Sequence, residues 1–231
     1  MQSQNSSEFI REMLQMQSAL NVATNGAEWR SGLTQLGKTI DWRRCIYMET
    51  AELIDSYPWK HWKSVDAAVD EENVRVELVD IWHFILSLAL EKFEIDQAAE
   101  LLIAALDAAS QKDAVDRDSQ LMQKIAMHEA MMTVALQTDP VDEDYLVKLL
   151  GCFFDSCAVA ALDFAQLYQL YMAKNVLNKF RQDHGYKEGT YIKVWDGKED
   201  NVVMFEIIRE MSNFSGDKLY QHLKLAYTQL D

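Results

Sequence analysis

Residues 73–91, Asn-Val-Arg-Val-Glu-Leu-Val-Asp-Ile-Trp-His-Phe-Ile-Leu-Ser-Leu-Ala-Leu-Glu, constrain this chain more than any other stretch. Coiled as a helix, they place Val76, Leu78, Val79, Ile81, Trp82, Phe84, Ile85, Leu86, Leu88 and Leu90 around almost the whole cylinder. A helix that is apolar on nearly every side belongs in a core. Yet Glu77 and Asp80 lie within it, at a spacing that puts them on one face, and His83 and Ser87 continue that stripe. Carboxylates are not left in a core unless something compensates their charge. A second pair, Glu49 and Glu52, lies upstream in the run Cys45-Ile-Tyr-Met-Glu-Thr-Ala-Glu-Leu-Ile54. Two inward-facing pairs on two helices make a hard, oxygen-rich site for divalent cations. Ligation by oxygen alone favours Mg²⁺ or Mn²⁺ over zinc.

The surrounding chain is compatible with a helical bundle. It has 231 residues, 49% of them apolar, but only two prolines and eight glycines, few for a β-rich chain with many turns. Its abundant Met, Leu, Ala, Glu and Gln are helix formers, so an all-α fold in a single domain is expected. The net charge of −15 argues against a nucleic-acid polymer or an anionic membrane as partner. A nucleotide is not excluded, because bound cations invert the local sign. Cys45, Cys152 and Cys157 lack metal-ligand spacing and read as reduced thiols. With a polar N-terminus and no apolar run of membrane-spanning length, the expectation is a soluble, cytoplasmic protein.

Taken in order, a first helix is expected from Ser6 or Ser7 to Val22, with Gln17 and Asn21 on one face of its last turns, where a solvated face is the plain reading of such a pair. Residues 23–40 read as a loop, and a helix over 42–56 ends before Pro58. The run Trp59-Lys-His-Trp-Lys63 suits either base stacking or a packing corner. Asp70, Glu71 and Glu72 open the central helix, where the helix dipole favours acids. Residues 92–150 carry helical patterns at 95–110, 117–137 and 142–155 but no catalytic motif; His128 and Glu129 there read as structural. A long helix is expected over 153–182. Lys174, Lys179, Arg181, Lys187 and Lys193 then follow one another, opposed only by Asp183 and Glu188. With Asn175 and Asn178 and a glycine-punctuated loop, that cluster suits polyphosphate binding or an ordinary exposed loop. Helices over 201–212 and 216–230 close the chain.

Solvated helix faces are the plain alternative for the four acids, and for Glu77 and Asp80 the apolar surroundings count against it. A ferritin-like di-iron site needs Glu-x-x-His from two helices. Asp80 and His83 make one distorted half, and nothing near Glu49 supplies the other.

Glu-x-x-Glu at 49–52 followed by Glu-x-x-Asp at 77–80 resembles the all-α nucleoside triphosphate pyrophosphatases, and more narrowly the dimeric dUTPases. The similarity is close over Trp42–Leu90 and Lys174–Asn201, including Trp42-Arg-Arg-Cys-Ile-Tyr-Met-Glu-Thr-Ala-Glu52, Asn73-Val-Arg-Val-Glu-Leu-Val-Asp-Ile-Trp-His-Phe84 and Lys174-Asn-Val-Leu-Asn-Lys-Phe-Arg181. Gln17, Leu20 and Asn21 match the family's first motif, whereas 92–150 shows no match and reads as a family-variable helical section. The resemblance implies Mg²⁺-dependent hydrolysis of dUTP and dUDP to dUMP by a homodimer. It implies that Glu49, Glu52, Glu77 and Asp80 bind the metal, with Glu49 as the base for the attacking water. Gln17 and Asn21 would read the uracil, with Trp62, His83 and Phe84 around the base and deoxyribose. Lys174, Asn178, Arg181, Tyr186, Lys187, Lys193 and Asn201 would hold sugar and phosphates. The rival readings are a broader nucleotide pyrophosphatase and a non-catalytic helical module that binds a nucleotide or a protein. A nucleotide panel separates the first, and dUTP turnover with Mg²⁺ against EDTA separates the second.

Overall fold

The computed structural model describes residues 2–62, 64, 67–112, 120–138, 140–212 and 214–230. They form two compact units, Met1–Leu167 and Tyr168–Asp231. The first holds helices α1 (Gln2–Asn25), α2 (Trp42–Asp55), α3 (Glu71–Lys92), α4 (Ile95–Ser110), α5 (Leu121–Ala135) and α6 (Glu143–Val159). Helix α7 (Phe164–Asp183) starts at the end of that unit and continues into the second. There a hairpin of two-residue strands, β1 (Val194–Trp195) and β2 (Lys198–Glu199), precedes α8 (Asp200–Glu210) and α9 (Gly216–Tyr227). The all-α expectation holds.

Helix α3 is the core helix that its composition demands, packed on α1, α2, α4 and α6. Leu78, Ile81, Trp82, Ile85 and Leu86 are fully buried. Trp82 stacks on Phe153 of α6 with ring centroids 5.0 Å apart, and its indole N–H points to Met13 Sδ of α1 at 3.3 Å. One side chain thus ties three helices, through dispersion and a satisfied polar tip. Asp70 caps the helix by accepting from Asn73 N at 3.0 Å. At the other end Arg30 satisfies orphan carbonyls, with Nε donating to Leu90 O at 2.6 Å and Nη2 to Phe93 O at 2.6 Å. Helix α2 is capped likewise, Asp41 accepting from Arg44 N at 3.0 Å. These caps fix where each carboxylate-bearing helix begins, and hence the phase of its acids.

The structure differs from the sequence expectations at several boundaries. Helix α1 starts at Gln2, ahead of Ser6, and runs to Asn25. Residues 23–40 hold a short 3-10 turn, Trp29–Ser31. The helix expected over 153–182 is two helices. Ala161 takes a left-handed conformation (φ 52°), and Asp163 starts α7 by accepting from Gln166 N at 2.8 Å. The apolar pattern runs through this corner because both sides of it are buried. Residues 117–119, Lys63 and Asp139 lie outside the described residues.

In the second unit Leu177, Phe180, Trp195, Met204, Leu219 and Leu223 form the core. Gly185 turns the chain out of α7 at φ +87°, where a Cβ would collide with Thr190 Oγ1.

Candidate metal and nucleotide site

Helices α2 and α3 bring three of the four predicted acids together. Carboxylate oxygens of Glu49, Glu52 and Glu77 lie within 4.8 Å of one another. Glu77 is buried, Glu49 half-buried and Glu52 exposed, its carboxylate still turned toward the other two. Asp80, one turn further along α3, is half-buried and acts electrostatically on Glu77. Burial pushes the Glu77 carboxyl up to about 8, and the charges of Asp80 and Glu49 and a hydrogen bond with Glu49 push the same way. Donors that are all carboxylate oxygens, crowded until one holds its proton, fit a hard divalent cation that would relieve the repulsion. A cavity of about 430 Å³ adjoins them, lined by Glu52, Asp55, Tyr57, Lys60, Asn73 and Glu77 among others.

The same face of α3 continues into a second, neutral polar group. His83 and Ser87 meet Gln17 and Asn21 of α1, and all four are buried. Gln17 Nε2 donates to Ser87 Oγ at 2.9 Å and Asn21 Nδ2 donates to it at 3.0 Å. His83 Nδ1 lies 2.7 Å from Gln17 Oε1. Gln17 and Asn21 are therefore not a solvated face. Along α3 the stripe from Glu77 to Ser87 spans ~15 Å at 1.5 Å per residue, acidic at one end and amide-rich at the other. Phe84 is half-buried and stacks on Trp42 at 6.1 Å. Trp62 is 64% exposed, with edge contacts to Trp59 and His61, while Lys60 lies over the Trp59 ring at 5.6 Å and pairs with Asp55.

The basic group belongs to the second unit. Arg181 of α7 forms a bidentate pair with Asp200, Nε to Oδ2 at 2.7 Å and Nη2 to Oδ1 at 2.8 Å. Its Nη1 reaches Asn178 Oδ1 at 3.4 Å, and its guanidinium lies 6.0 Å from the Tyr186 ring centre. Buried Lys174 donates to Asn201 Oδ1 at 2.9 Å. Lys193 pairs with Glu199 at 3.2 Å, and Lys187 is exposed. Asp200 is fully buried; burial alone would raise its pKa, but Arg181 and the Tyr191 hydroxyl, which donates to it at 2.7 Å, hold it below the usual carboxylate range. Asp200 is not a candidate in the sequence, and Tyr191 reads there only as one aromatic of the loop after the long helix. Asp200 follows Glu199 in a charged turn and reads as one more surface acid, and its partner lies 19 positions away.

His128 is structural, as expected: it is fully buried in α5, with Nε2 3.0 Å from the Tyr57 hydroxyl, and burial lowers its pKa to about 4.

A family model described as dUTPase matches residues 9–186, from α1 to just past the end of α7. The chain belongs to the all-α dUTPase family. No match is found among curated proteins. The dUTPase match spans α1, α2 and α3, the helices that carry the acids and the buried amides. Family membership implies a nucleotide substrate and pyrophosphatase chemistry. No single helix among the described residues is long and apolar enough to cross a membrane.

Proposed function

We propose that this protein is a Mg²⁺-dependent dUTP diphosphatase, hydrolysing dUTP to dUMP and pyrophosphate and dUDP to dUMP and phosphate. Its effect is to limit uracil incorporation into DNA. The observation that carries the reading is the carboxylate group of Glu49, Glu52 and Glu77 inside a chain of the dUTPase family. Glu49, Glu52, Glu77 and Asp80 would hold Mg²⁺, with Mn²⁺ as a substitute. The ion, when bound, offsets the charge of the phosphates and acidifies a water. Glu49 takes the proton from the attacking water. Gln17, Asn21 and His83 read the base, with Trp62 and Phe84 against the base and deoxyribose. Lys174, Asn178, Arg181, Tyr186, Lys187, Lys193 and Asn201 hold sugar and phosphates and stabilise charge on the leaving group. The enzyme acts in the cytoplasm as a homodimer, on free nucleotides and not on nucleic-acid polymers or membranes.

The reading is tested by identifying the products with ³¹P NMR. With Mg²⁺, dUTP is expected to give dUMP and pyrophosphate; single inorganic phosphate released from dUTP would show cleavage at a different bond. Lys193→Ala is expected to weaken dUMP and dUTP binding by about tenfold or more while leaving deoxyuridine nearly unchanged, since charge-assisted hydrogen bonds contribute ~1.5–3 kcal/mol. Arg181→Ala should weaken the nucleotides likewise and also lower the melting temperature, because it strips the buried Asp200 of its partner. Calorimetric titration of the three ligands checks this. Equal losses for nucleoside and nucleotide would place both residues away from the phosphates.

A further inference from the structure

Ser87 lies at the centre of the buried group between α1 and α3, with no exposed surface. Its hydroxyl lies 2.8 Å from His83 O, one turn back on its own helix, nearer than the 3.3 Å to Asn21 Oδ1. A serine within a helix commonly gives its proton to that carbonyl. The proton is then committed, and the two lone pairs of Oγ are left to accept. They accept from Gln17 Nε2 at 2.9 Å and Asn21 Nδ2 at 3.0 Å.

One hydroxyl therefore orients two amides. Turning Gln17 over would set a carbonyl oxygen against an oxygen that has no proton left to give, and turning Asn21 over would set its NH₂ against Gln17 Nε2, which donates to Asn21 Oδ1 at 3.1 Å. With its NH₂ on Ser87, Gln17 turns Oε1 toward His83 Nδ1, 2.7 Å away. Only a protonated Nδ1 can donate there, so in the neutral ring Nε2 is the acceptor. The chain of dependence runs from Ser87 through Gln17 to the tautomer of His83.

That pattern matters for a pyrimidine. Uracil presents an N3–H donor beside the O4 acceptor. Cytosine presents the reverse, an N3 acceptor beside an amino donor. Resting on the dUTPase reading above, we infer that Ser87 is a positioning residue for base selectivity: it sets the donor and acceptor pattern with which Gln17, Asn21 and His83 meet the ring, and so favours uracil over cytosine. Ser87 itself does not touch the substrate.

The test uses the full chain with Mg²⁺ and two readouts. The first is ¹⁵N NMR of the histidine rings, with His83 assigned by comparison with His83→Gln. Wild type is expected to show a protonated Nδ1 and an unprotonated Nε2; Ser87→Ala is expected to populate both tautomers. The second is the ratio of kcat/KM for dUTP to that for dCTP, which does not depend on the fraction of folded enzyme. That ratio is expected to fall by about tenfold or more in Ser87→Ala, with one lost hydrogen-bonding group per amide. Ser87→Cys, close in shape but a weak acceptor, is the second variant and should move both readouts in the same direction. An unchanged ratio, or an unchanged Nδ1–H tautomer, in the variants overturns the inference while leaving the dUTPase reading in place. If the wild type itself cleaves no dUTP, the dUTPase reading fails, and the selectivity role fails with it.

Discussion

Glu49→Gln and Asp80→Asn are each expected to lower turnover of dUTP by ~10²–10⁴-fold, the range typical of losing a general base or misplacing a catalytic cation. Both changes keep the side chain's size and remove its charge. Glu49 sits in the carboxylate group with Glu52 and Glu77, and Asp80 acts on Glu77 from one turn along α3. With Glu49 in its proposed roles, Glu49→Gln takes the proton acceptor from the attacking water and a ligand from the cation, so kcat should fall more than KM rises. In Asp80→Asn the cation is held less tightly, and raising the Mg²⁺ concentration should recover part of the activity. Steady-state kinetics at several Mg²⁺ concentrations separate the two patterns. Either variant retaining most of its activity would remove that residue from the site.

Glu77→Gln is expected to be inactive yet more thermostable than wild type in EDTA at pH 7.5. The Glu77 carboxyl is raised from an ordinary 4.5 to about 8, by burial first and by its acidic neighbours next. Below about 4.5 the group is protonated in both folded and unfolded chains, and its contribution to stability is fully present. Between about 4.5 and about 8 the unfolded chain gives up the proton while the folded one keeps it, so stability falls as pH rises. At pH 7.5 most of that contribution is gone, a loss on the order of a few kcal/mol. Glutamine is neutral at every pH and removes this dependence. Cation binding to the native site should restore the wild type by RT ln(1 + [Mg²⁺]/Kd), about 2.7 kcal/mol at a hundredfold excess over Kd. The variant should gain less. Thermal melts at pH 5 and 7.5, with EDTA and with Mg²⁺, give the comparison. A lower melting temperature for Glu77→Gln in EDTA at pH 7.5 would show instead that the Glu77 carboxylate makes a stabilising hydrogen bond or ion pair.

The same residues show what the sequence made legible. Helix α3 could be read directly because its apolar residues surround the cylinder, so the acids within it had to face something compensating. The pairs at 49–52 and 77–80 also fix their own geometry, since residues three apart share a helix face wherever the helix is packed. The break at Ala161 was not legible: hydrophobic periodicity reports burial, and burial continues on both sides of the corner. Exposure of Glu52 depends on the rim of α2, which spacing does not reveal. Ser87 was visible as part of the stripe, but its position between two amides of α1 is a tertiary fact. Asp200 was hidden for a related reason, since only the fold shows that an acid at the start of α8 is buried against an arginine of α7.

The most direct measurement is hydrolysis of a nucleotide panel by the wild-type chain, in Mg²⁺ and again in EDTA. The account predicts that dUTP and dUDP are cleaved, that dTTP, dCTP and UTP are poor substrates, and that EDTA stops turnover. A kcat/KM for dCTP or dTTP comparable to that for dUTP, or turnover that persists in EDTA, would contradict it.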